Sequence, residues 1–292
     1  MSQPRLIHSG RHEIGEGPIW HDGIERLFWF SILEGRLWSC DADGGNERLY
    51  EIGERASAAG IVDDHALLIA TETGLWQLDL GEGTKSPVAP MEADNPITRS
   101  NDGRTAPDGS FWIGTMGLRS EPEAGAIYRL KAGAEPPLTS VRRRVTIPNS
   151  ICFSPDGRTA YLSDTTERTI LAMPLDADGT PAGEARVHVD LRDEGLNPDG
   201  SVTDADGCLW NAQWGASRVA RYDPDGRFME AVEFPVAQVS CPAFGGPDLT
   251  TLYVTTAWQN LSAGEREDEA GSIFAVETNV RGRPEARAVL PA

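Results

Sequence analysis

Hydrophobic residues along this chain are gathered into short runs that come in pairs, with polar turns between them. Leu27-Phe28-Trp29-Phe30, for example, is followed by Gly35-Arg36-Leu37-Trp38. Five more pairs have first runs at 66–69, 111–114, 160–163, 208–211 and 251–254, and second runs at 74–77, 125–128, 169–172, 218–221 and 271–274. Runs of this length, rich in aromatic and β-branched residues and bounded by turn residues, predict β-strands.

The pairs recur at intervals of roughly 40 to 50 residues, the repeat length of a four-stranded propeller blade. Turn signals separate the runs, among them the Pro-Asp-Gly triplets at 107–109, 155–157 and 224–226. No long segment has the 3.6-residue period of a helix, so helices should be few. A β-sandwich would need neither six copies nor this length. The pattern therefore predicts an all-β fold, a six-bladed β-propeller, with residues 1–292 forming one domain.

A short segment lies about ten to twelve residues upstream of each first run and is the candidate innermost strand of its blade. In chain order these segments carry Glu16, Ser57 with Ala58, Asn101 with Asp102, Asn149, Asp199, and Cys241. Innermost strands line the axis of a propeller, so these positions are expected to share one level of a closed ring. Polar groups that converge in this way from different blades predict a ligand site.

The acidic and amide side chains of this set are hard oxygen donors, which suit Ca²⁺, Mg²⁺ or Mn²⁺ better than soft metals. Each also has a simpler interpretation. Glu16 and Asp102 stand beside glycines and could be turn residues, and Asn149 could cap a turn. Asp199 lies in a Pro-Asp-Gly triplet, and the other such triplets look like hairpin turns. Its position at the inner-strand level separates Asp199 from them.

Composition excludes several kinds of partner. The formal net charge is −19, which repels a phosphate backbone and leaves no basic patch for an anionic membrane. No segment has the length of a membrane span or the apolar core of a signal peptide. The four cysteines are scattered among apolar residues and are expected to be buried free thiols. We therefore expect a cytoplasmic protein, and we interpret its five histidines as surface or loop residues.

Five segments resemble the signature segments of the regucalcin/gluconolactonase family, and they follow one another in the family's order along essentially the whole chain. They are Gly15-Glu16-Gly17-Pro18-Ile19-Trp20, Arg99-Ser100-Asn101-Asp102-Gly103, Ile147-Pro148-Asn149-Ser150, Pro198-Asp199-Gly200 and Phe244-Gly245-Gly246-Pro247-Asp248. Each segment alone is weakly diagnostic, whereas five in series are specific. The resemblance implies a six-bladed propeller that binds one divalent metal ion and opens aldonolactones to aldonic acids.

Matched position by position, the resemblance implies that Glu16, Asn149 and Asp199 are the metal ligands. Ca²⁺ is the expected ion, with Zn²⁺, Mn²⁺, Mg²⁺ and Fe²⁺ as alternatives. Two carboxylates and one neutral amide would leave open positions on such an ion for water and substrate, as in a catalytic site.

The resemblance also implies three substrate contacts, made by Arg99, Asn101 and Glu121. Glu123 lies close enough to Glu121 that either could provide the last one. The chain departs from the family after 255–257, where many relatives carry arginine and this chain has Trp258-Gln259-Asn260. This difference leaves the identity of the sugar open.

The expected reaction is hydrolysis of a sugar lactone such as glucono-, xylono- or arabinono-lactone. A Lewis-acidic metal would polarise the carbonyl and lower the pKa of a water molecule, and Asp199 would be the general base. Arg99 and Asn101 would orient hydroxyl groups or stabilise the oxyanion. A lactone is an activated ester and needs no covalent nucleophile, which agrees with the lack of a G-x-S-x-G motif.

Two alternatives come from other functional classes. A non-enzymatic calcium-binding propeller would keep the metal ligands but need not keep Arg99, Asn101 and Glu121 together. A broader esterase or organophosphate hydrolase would have an apolar mouth, for which Trp214 and Trp258 leave room. For the lactonase, the expected partner is a small sugar lactone, with no nucleic acid and no membrane, and the expected state is a monomer.

Overall fold

The computed structural model describes residues 2–291, which form 24 strands in six four-stranded antiparallel sheets. In chain order the strands are β1 Arg5–His8, β2 Gly15–His21, β3 Arg26–Ser31, β4 Arg36–Cys40, β5 Arg48–Glu51, β6 Ala56–Asp63, β7 Ala66–Thr71, β8 Gly74–Asp79, β9 Lys85–Pro90, β10 Thr98–Thr105, β11 Phe111–Gly117, β12 Gly125–Leu130, β13 Leu138–Val145, β14 Pro148–Phe153, β15 Thr159–Asp164, β16 Thr169–Pro174, β17 Arg186–Asp190, β18 Asn197–Thr203, β19 Leu209–Trp214, β20 Arg218–Tyr222, β21 Phe228–Glu233, β22 Val239–Gly245, β23 Thr251–Thr256 and β24 Ile273–Glu277. The helical structure in this range is one 3₁₀ turn, Thr165–Glu167.

The first five sheets each take four consecutive strands, beginning with β2, β6, β10, β14 and β18, and we number them as blades one to five. Blade six has the order β22-β23-β24-β1. The first strands of the six blades contact one another in a closed ring and line the central axis. The predicted six-bladed β-propeller is therefore confirmed, and every predicted run lies on a strand or overlaps one.

The ring is closed by a strand from the beginning of the chain. β1 pairs antiparallel with β24, with Arg5 opposite Ala275 and Leu6 opposite Phe274. Blade six is thus built from both ends of the sequence. Such closure leaves no open seam between the first and the last blade.

The hydrophobic core consists of six clusters, and each cluster fills the space between two neighbouring blades. Aromatic rings from the inner two strands form the centre of several clusters. Trp112 and Phe153 meet edge to face at 5.5 Å between blades three and four, and Trp210 and Phe244 do so at 5.5 Å between blades five and six. The aromatic residues of the sequence repeat therefore fix each blade against the next.

The four cysteines are free and buried, as predicted. The interpretation of the histidines as surface or loop residues was wrong for His8 and His21, which are buried in strands, whereas His12 lies in a loop but is buried. The rings of His8 and His12 stack at 5.2 Å, and Trp29 Nε1 donates to His12 Nε2 at 3.0 Å. Partners of this kind allow a neutral imidazole to be buried, and residue type alone does not reveal them.

The segment 278–291 crosses one end of the propeller after the last strand. Its backbone forms hydrogen bonds of 2.6–2.9 Å to blades six, five, two and three, at Leu249, Ala205, Ile61 and Gly109. These four residues lie at the far ends of the inner strands or in the turns beyond them. The segment thus covers the axis at the end opposite Glu16. Within residues 2–291 no helix has both the length and the apolar character needed to cross a membrane.

Candidate active site

Every inner strand has an irregular register at the same level of the ring. In β2 the shift lies between Glu16 and Ile19, and the inner strands of blades two to six shift at 56/58, 100/103, 149/152, 198/201 and 239/241. A β-bulge bends a strand and turns its side chains away from the regular alternation. The polar residues predicted from the sequence lie at these bulges, so the local backbone directs them to the axis.

Glycines beside two acidic residues let the inner strands come together. Gly17 has a φ of +55°, and a Cβ there would lie 2.2 Å from the carbonyl oxygen of Ser57. A Cβ on Gly200 would lie 2.3 Å from Cys241 Sγ. Larger residues would push the neighbouring blades apart at the level of the site. The glycine after each acidic residue is thus part of the local geometry that positions the carboxylate.

A cavity of ≈ 390 Å³ opens at this level of the axis. Five of the six predicted site residues line it: Glu16, Arg99, Asn101, Asn149 and Asp199. They come from blades one, three, four and five, and all five are buried. Residues up to 183 positions apart in the sequence therefore meet at one cavity.

A chain of hydrogen bonds links these side chains across three blades. Arg99 Nη1 donates to Asn101 Oδ1 at 2.8 Å, and Asn101 Nδ2 donates to Asn149 Oδ1 at 2.9 Å. Asn149 Nδ2 donates to Thr165 Oγ1 at 2.8 Å, and Thr165 Oγ1 donates to the carbonyl oxygen of Pro198 at 2.8 Å. These contacts assign the amide orientations. Asn149 Oδ1 keeps a second lone pair for another partner.

Glu16 and Asp199 are carboxylates buried without a basic partner, since neither forms an ion pair with any residue in 2–291. Burial raises the pKa of Glu16, and the nearby charge of Asp102 raises it further. Burial, then Glu16, then Asp102 raise the pKa of Asp199 well above its usual value. Like charges held close together in a buried site repel each other, so this arrangement favours protonation or a bound cation.

The donor set fits a hard divalent cation. Glu16 and Asp199 supply carboxylate oxygens, and Asn149 supplies an amide oxygen that is already oriented by Asn101. Oxygen donors of this kind are the usual ligands of Ca²⁺ and Mg²⁺. A cation between the two carboxylates would also offset the burial and the acidic neighbours that raise the pKa of each.

Among residues 2–291, Arg99 is the one basic side chain that lines the cavity. Its hydrogen bonds to residues 2–291 both come from Nη1, which donates to the carbonyl oxygen of Ser100 at 2.8 Å and to Asn101. Burial lowers its pKa to about 10, against the opposing effect of Glu16, so the group stays charged at neutral pH. Its Nε and Nη2 groups are therefore available to oxygen atoms of a substrate.

The structure does not bring Glu121 to the cavity lining. The Glu121 carboxylate accepts a hydrogen bond from the backbone N–H of Arg119 at 2.9 Å, while its neighbour Ser120 lines the cavity. Glu123 forms an exposed ion pair with Arg144. A role for either glutamate in substrate binding stays a prediction.

The cavity is also lined by residues that the repeat pattern did not select: Trp214, Gln238, Gln259, Asn260 and Leu261. Gln238 Nε2 donates to the carbonyl oxygen of Gln259 at 2.8 Å and holds in place the loop between β23 and β24. The departure from the family pattern at 258–260 was the available signal for this wall. Trp258 itself does not line the cavity, and its Nε1 donates to the carbonyl oxygen of Arg11 at 3.0 Å.

Comparison with known proteins gives a consistent result over the whole chain. Residues 14–258 match the family described as the SMP-30/Gluconolactonase/LRE-like region. The L-arabinolactonase of Azospirillum brasilense is 38% identical over 98% of this chain and 95% of its own length. The 6-deoxy-6-sulfogluconolactonase of Pseudomonas putida is 34% identical over 92% of each. The crystal structure of a calcium-binding protein, regucalcin, from Agrobacterium tumefaciens superposes with a TM-score of 0.94, at 38% identity over 99% of this chain and 100% of that one.

Proposed function

The chain belongs to the SMP-30/gluconolactonase/LRE-like family and is a lactonase, and we propose that it opens an aldonolactone to the aldonic acid with one divalent metal ion. The observation that carries this proposal is the meeting of two buried, unpaired carboxylates, an amide and an arginine in one axial cavity. The acidic and amide oxygens suit a hard cation, whereas a guanidinium group repels one. The same cavity thus has one part suited to a metal ion and another suited to an electron-rich substrate.

Glu16, Asn149 and Asp199 would hold the metal, and Ca²⁺ is the ion that we propose. The donor set supports this choice, because its three oxygens come from three blades and leave room for further oxygen ligands, as Ca²⁺ requires. The similar Agrobacterium structure is described as a calcium-binding protein. When bound, the ion would supply Lewis acidity at the lactone carbonyl.

The residues of this chain would then perform the remaining steps. Asp199 would accept a proton from the water that attacks the carbonyl carbon. Arg99 Nε and Nη2 would donate to the substrate and stabilise the negative charge that develops on its oxygens. Asn101 keeps Arg99 and Asn149 in place through hydrogen bonds of 2.8 and 2.9 Å. The cavity walls bury the reacting groups and thereby strengthen each of these interactions.

The wall of the cavity supports an uncharged polyhydroxylated lactone as substrate. Gln238, Gln259 and Asn260 present amide groups there, and Trp214 and Leu261 add apolar surface. Amides donate to and accept from sugar hydroxyl groups, and they provide no charge to pair with a phosphate or sulfonate. Glucono-, xylono- and arabinono-lactone are the substrates that we propose. All residues of the site come from one chain, which is consistent with a monomer, and the free thiols are consistent with the cytoplasm.

A panel of pentono- and hexonolactones, assayed by acid release, tests this function. We expect hydrolysis of at least one uncharged aldonolactone well above its spontaneous rate. A 6-phosphorylated or 6-sulfonated lactone should react more slowly, because Arg99 is the basic side chain that the described part of the chain contributes to the cavity lining, and it is already assigned to the lactone oxygens. An aryl ester and an organophosphate complete the panel. Faster hydrolysis of the ester or organophosphate than of every lactone would favour the broader esterase, and no hydrolysis at all would favour a calcium-binding protein.

A further inference from the structure

The axis of the propeller continues below the candidate active site. Arg104 lies three residues beyond Asn101 on β10, so about 10 Å of strand separates the two levels. A small void of ≈ 10 Å³ lies on the axis between them, and Asp102, Arg104, Cys241 and Glu285 line it. Charged groups therefore follow one another along the axis from the cavity to the opposite end.

Glu285 is the only one of these residues that does not come from an inner strand. It lies in the segment 278–291, which crosses the far end of the propeller, and its carboxylate forms an ion pair with Arg104. The side chains of Arg104 and Glu285 are only 12% and 9% exposed. The ordered path of the segment, with backbone hydrogen bonds to four blades, holds Glu285 in this position.

The charges on the axis do not balance within the protein. Four carboxylates (Glu16, Asp102, Asp199 and Glu285) lie along this path with two guanidinium groups (Arg99 and Arg104), so acidic groups outnumber basic ones at the two cavities. A divalent cation between the upper carboxylates would offset this excess of acidic groups. Buried charges are costly unless they are compensated, so the number of charges at the far end affects how strongly the near end attracts a cation.

We propose that Glu285 is a positioning residue of the metal site, which acts by neutralising Arg104 and so preserves the attraction of the upper carboxylates for a divalent cation. This rests on the proposed metal dependence. Without Glu285, the guanidinium group would be left unpaired near Asp102, below the proposed metal ligands. At a separation of about 10 Å in a protein interior, one unit charge changes the affinity for a divalent ion on the order of tenfold or more.

Calorimetric titration with Ca²⁺ of metal-free wild type, Glu285→Gln, Arg104→Gln and the double variant tests the proposal. Glu285→Gln should weaken Ca²⁺ binding on the order of tenfold or more, and Arg104→Gln should strengthen it. The double variant loses one acidic and one basic group and so keeps the net charge of wild type. Its affinity for Ca²⁺ should be within about threefold of that of wild type. If the ion pair were purely structural, the double variant would bind Ca²⁺ no better than Glu285→Gln, because removal of both partners would not recover the affinity lost with one.

The matched control is Asp41→Asn, which breaks the ion pair between Asp41 and Arg26 in blade one, away from the turns that hold the segment 278–291. It should lower the melting temperature without weakening Ca²⁺ binding. This control remains decisive if a variant of Arg104 fails to fold. Unchanged affinity in Glu285→Gln, or an equal loss in Asp41→Asn, would overturn the proposal. If wild type binds Ca²⁺ and Glu285→Gln binds it equally well, only the role of Glu285 is refuted. If wild type binds no Ca²⁺, the proposed metal dependence is refuted as well.

Discussion

The tripeptide Pro-Asp-Gly occurs four times in this chain, and the four copies lie in two different environments. Those at 107–109, 155–157 and 224–226 are hairpin turns between strands, whereas 198–200 lies inside β18 at the axis. Asp156 accepts a hydrogen bond from the backbone N–H of Arg158 at 3.0 Å, and Asp225 pairs with Arg227 at 2.8 Å on the surface. Asp199 is buried and faces other carboxylates.

The pKa of aspartate therefore shifts in opposite directions in the two environments. Hydrogen bonds, first from the Ser154 hydroxyl and then from the Arg158 backbone, lower the pKa of Asp156. Burial, followed by the charges of Glu16 and Asp102, raises the pKa of Asp199. The tripeptide itself therefore carries no function. Its level in the blade and its neighbours across the axis determine whether the aspartate closes a turn or belongs to a site.

The largest expected effect comes from removal of the cation that we propose to lie against Asp199. Exhaustive chelation should abolish lactone hydrolysis, and addition of Ca²⁺ should restore it, because the carboxylates lose their counter-charge and the carbonyl loses its Lewis acid. The hairpin aspartates are not expected to bind the cation. Acid release is measured before and after chelation, with elemental analysis to establish that the metal is gone. Full activity in a metal-free preparation would refute this prediction.

The next effect separates Asp199 from its hairpin counterparts directly. Asp199→Asn should lower kcat by at least the ~10²-fold typical of the loss of a general base, since an amide cannot accept the proton of the attacking water. Asp225→Asn changes the same residue type in an exposed hairpin and should keep wild-type kinetics. Steady-state kinetics on a single lactone are sufficient. Equal losses in the two variants would mean that the difference in position has no functional meaning.

Arg99→Ala is expected to lower kcat/KM. The loss of transition-state stabilisation should be about 1.5–3 kcal/mol, the usual contribution of a hydrogen bond to a charged group. Its affinity for Ca²⁺ should stay unchanged or rise slightly, since a positive charge has been removed from the site. Arg227→Ala, at the surface hairpin partner of Asp225, is the control and should change neither quantity. If Arg99→Ala also abolishes Ca²⁺ binding, Arg99 supports the metal site and the substrate contact must lie elsewhere.

The smallest expected effect is a dependence of stability on pH. The folded pKa of Asp199 lies above its unfolded value, so its protonation stabilises the metal-free protein at low pH. This stabilisation is lost as the pH rises through the folded pKa. Asp156 has a lowered pKa and loses its contribution as the pH falls. Urea unfolding of the metal-free protein at about pH 5 and pH 8 should give lower stability at the higher pH, with a smaller difference in Asp199→Asn. Ca²⁺ should reverse the loss in wild type.

Much of the fold could be predicted from the sequence because each blade must repeat the same local physics. Short apolar runs bounded by turn residues define the strands locally. Glu16, Asn101, Asn149 and Asp199 can be assigned to the inner strands because each lies a similar number of residues before the first apolar run of its repeat. The bulges that aim these side chains could not be predicted, yet they lie next to the glycines that the sequence does display.

Features that depend on contacts between distant segments were beyond the sequence. The segment around Glu285 has no strand period, so nothing in it indicates that a carboxylate reaches Arg104 on the axis. The side-chain direction of Glu121 depends on the backbone of its own loop. Gln238 contributes to the cavity through a loop contact rather than through the repeat. In each case tertiary packing determines where the side chain points.

The most direct test of the account is the number of divalent ions bound per chain, measured by elemental analysis after equilibrium dialysis against Ca²⁺. Wild type, Asp199→Asn and Asp225→Asn are compared in the same experiment. We predict one ion per chain in wild type and in Asp225→Asn, and a clear loss of the ion in Asp199→Asn. No bound ion in wild type, or the same stoichiometry in all three proteins, would contradict an axial metal site built on Asp199.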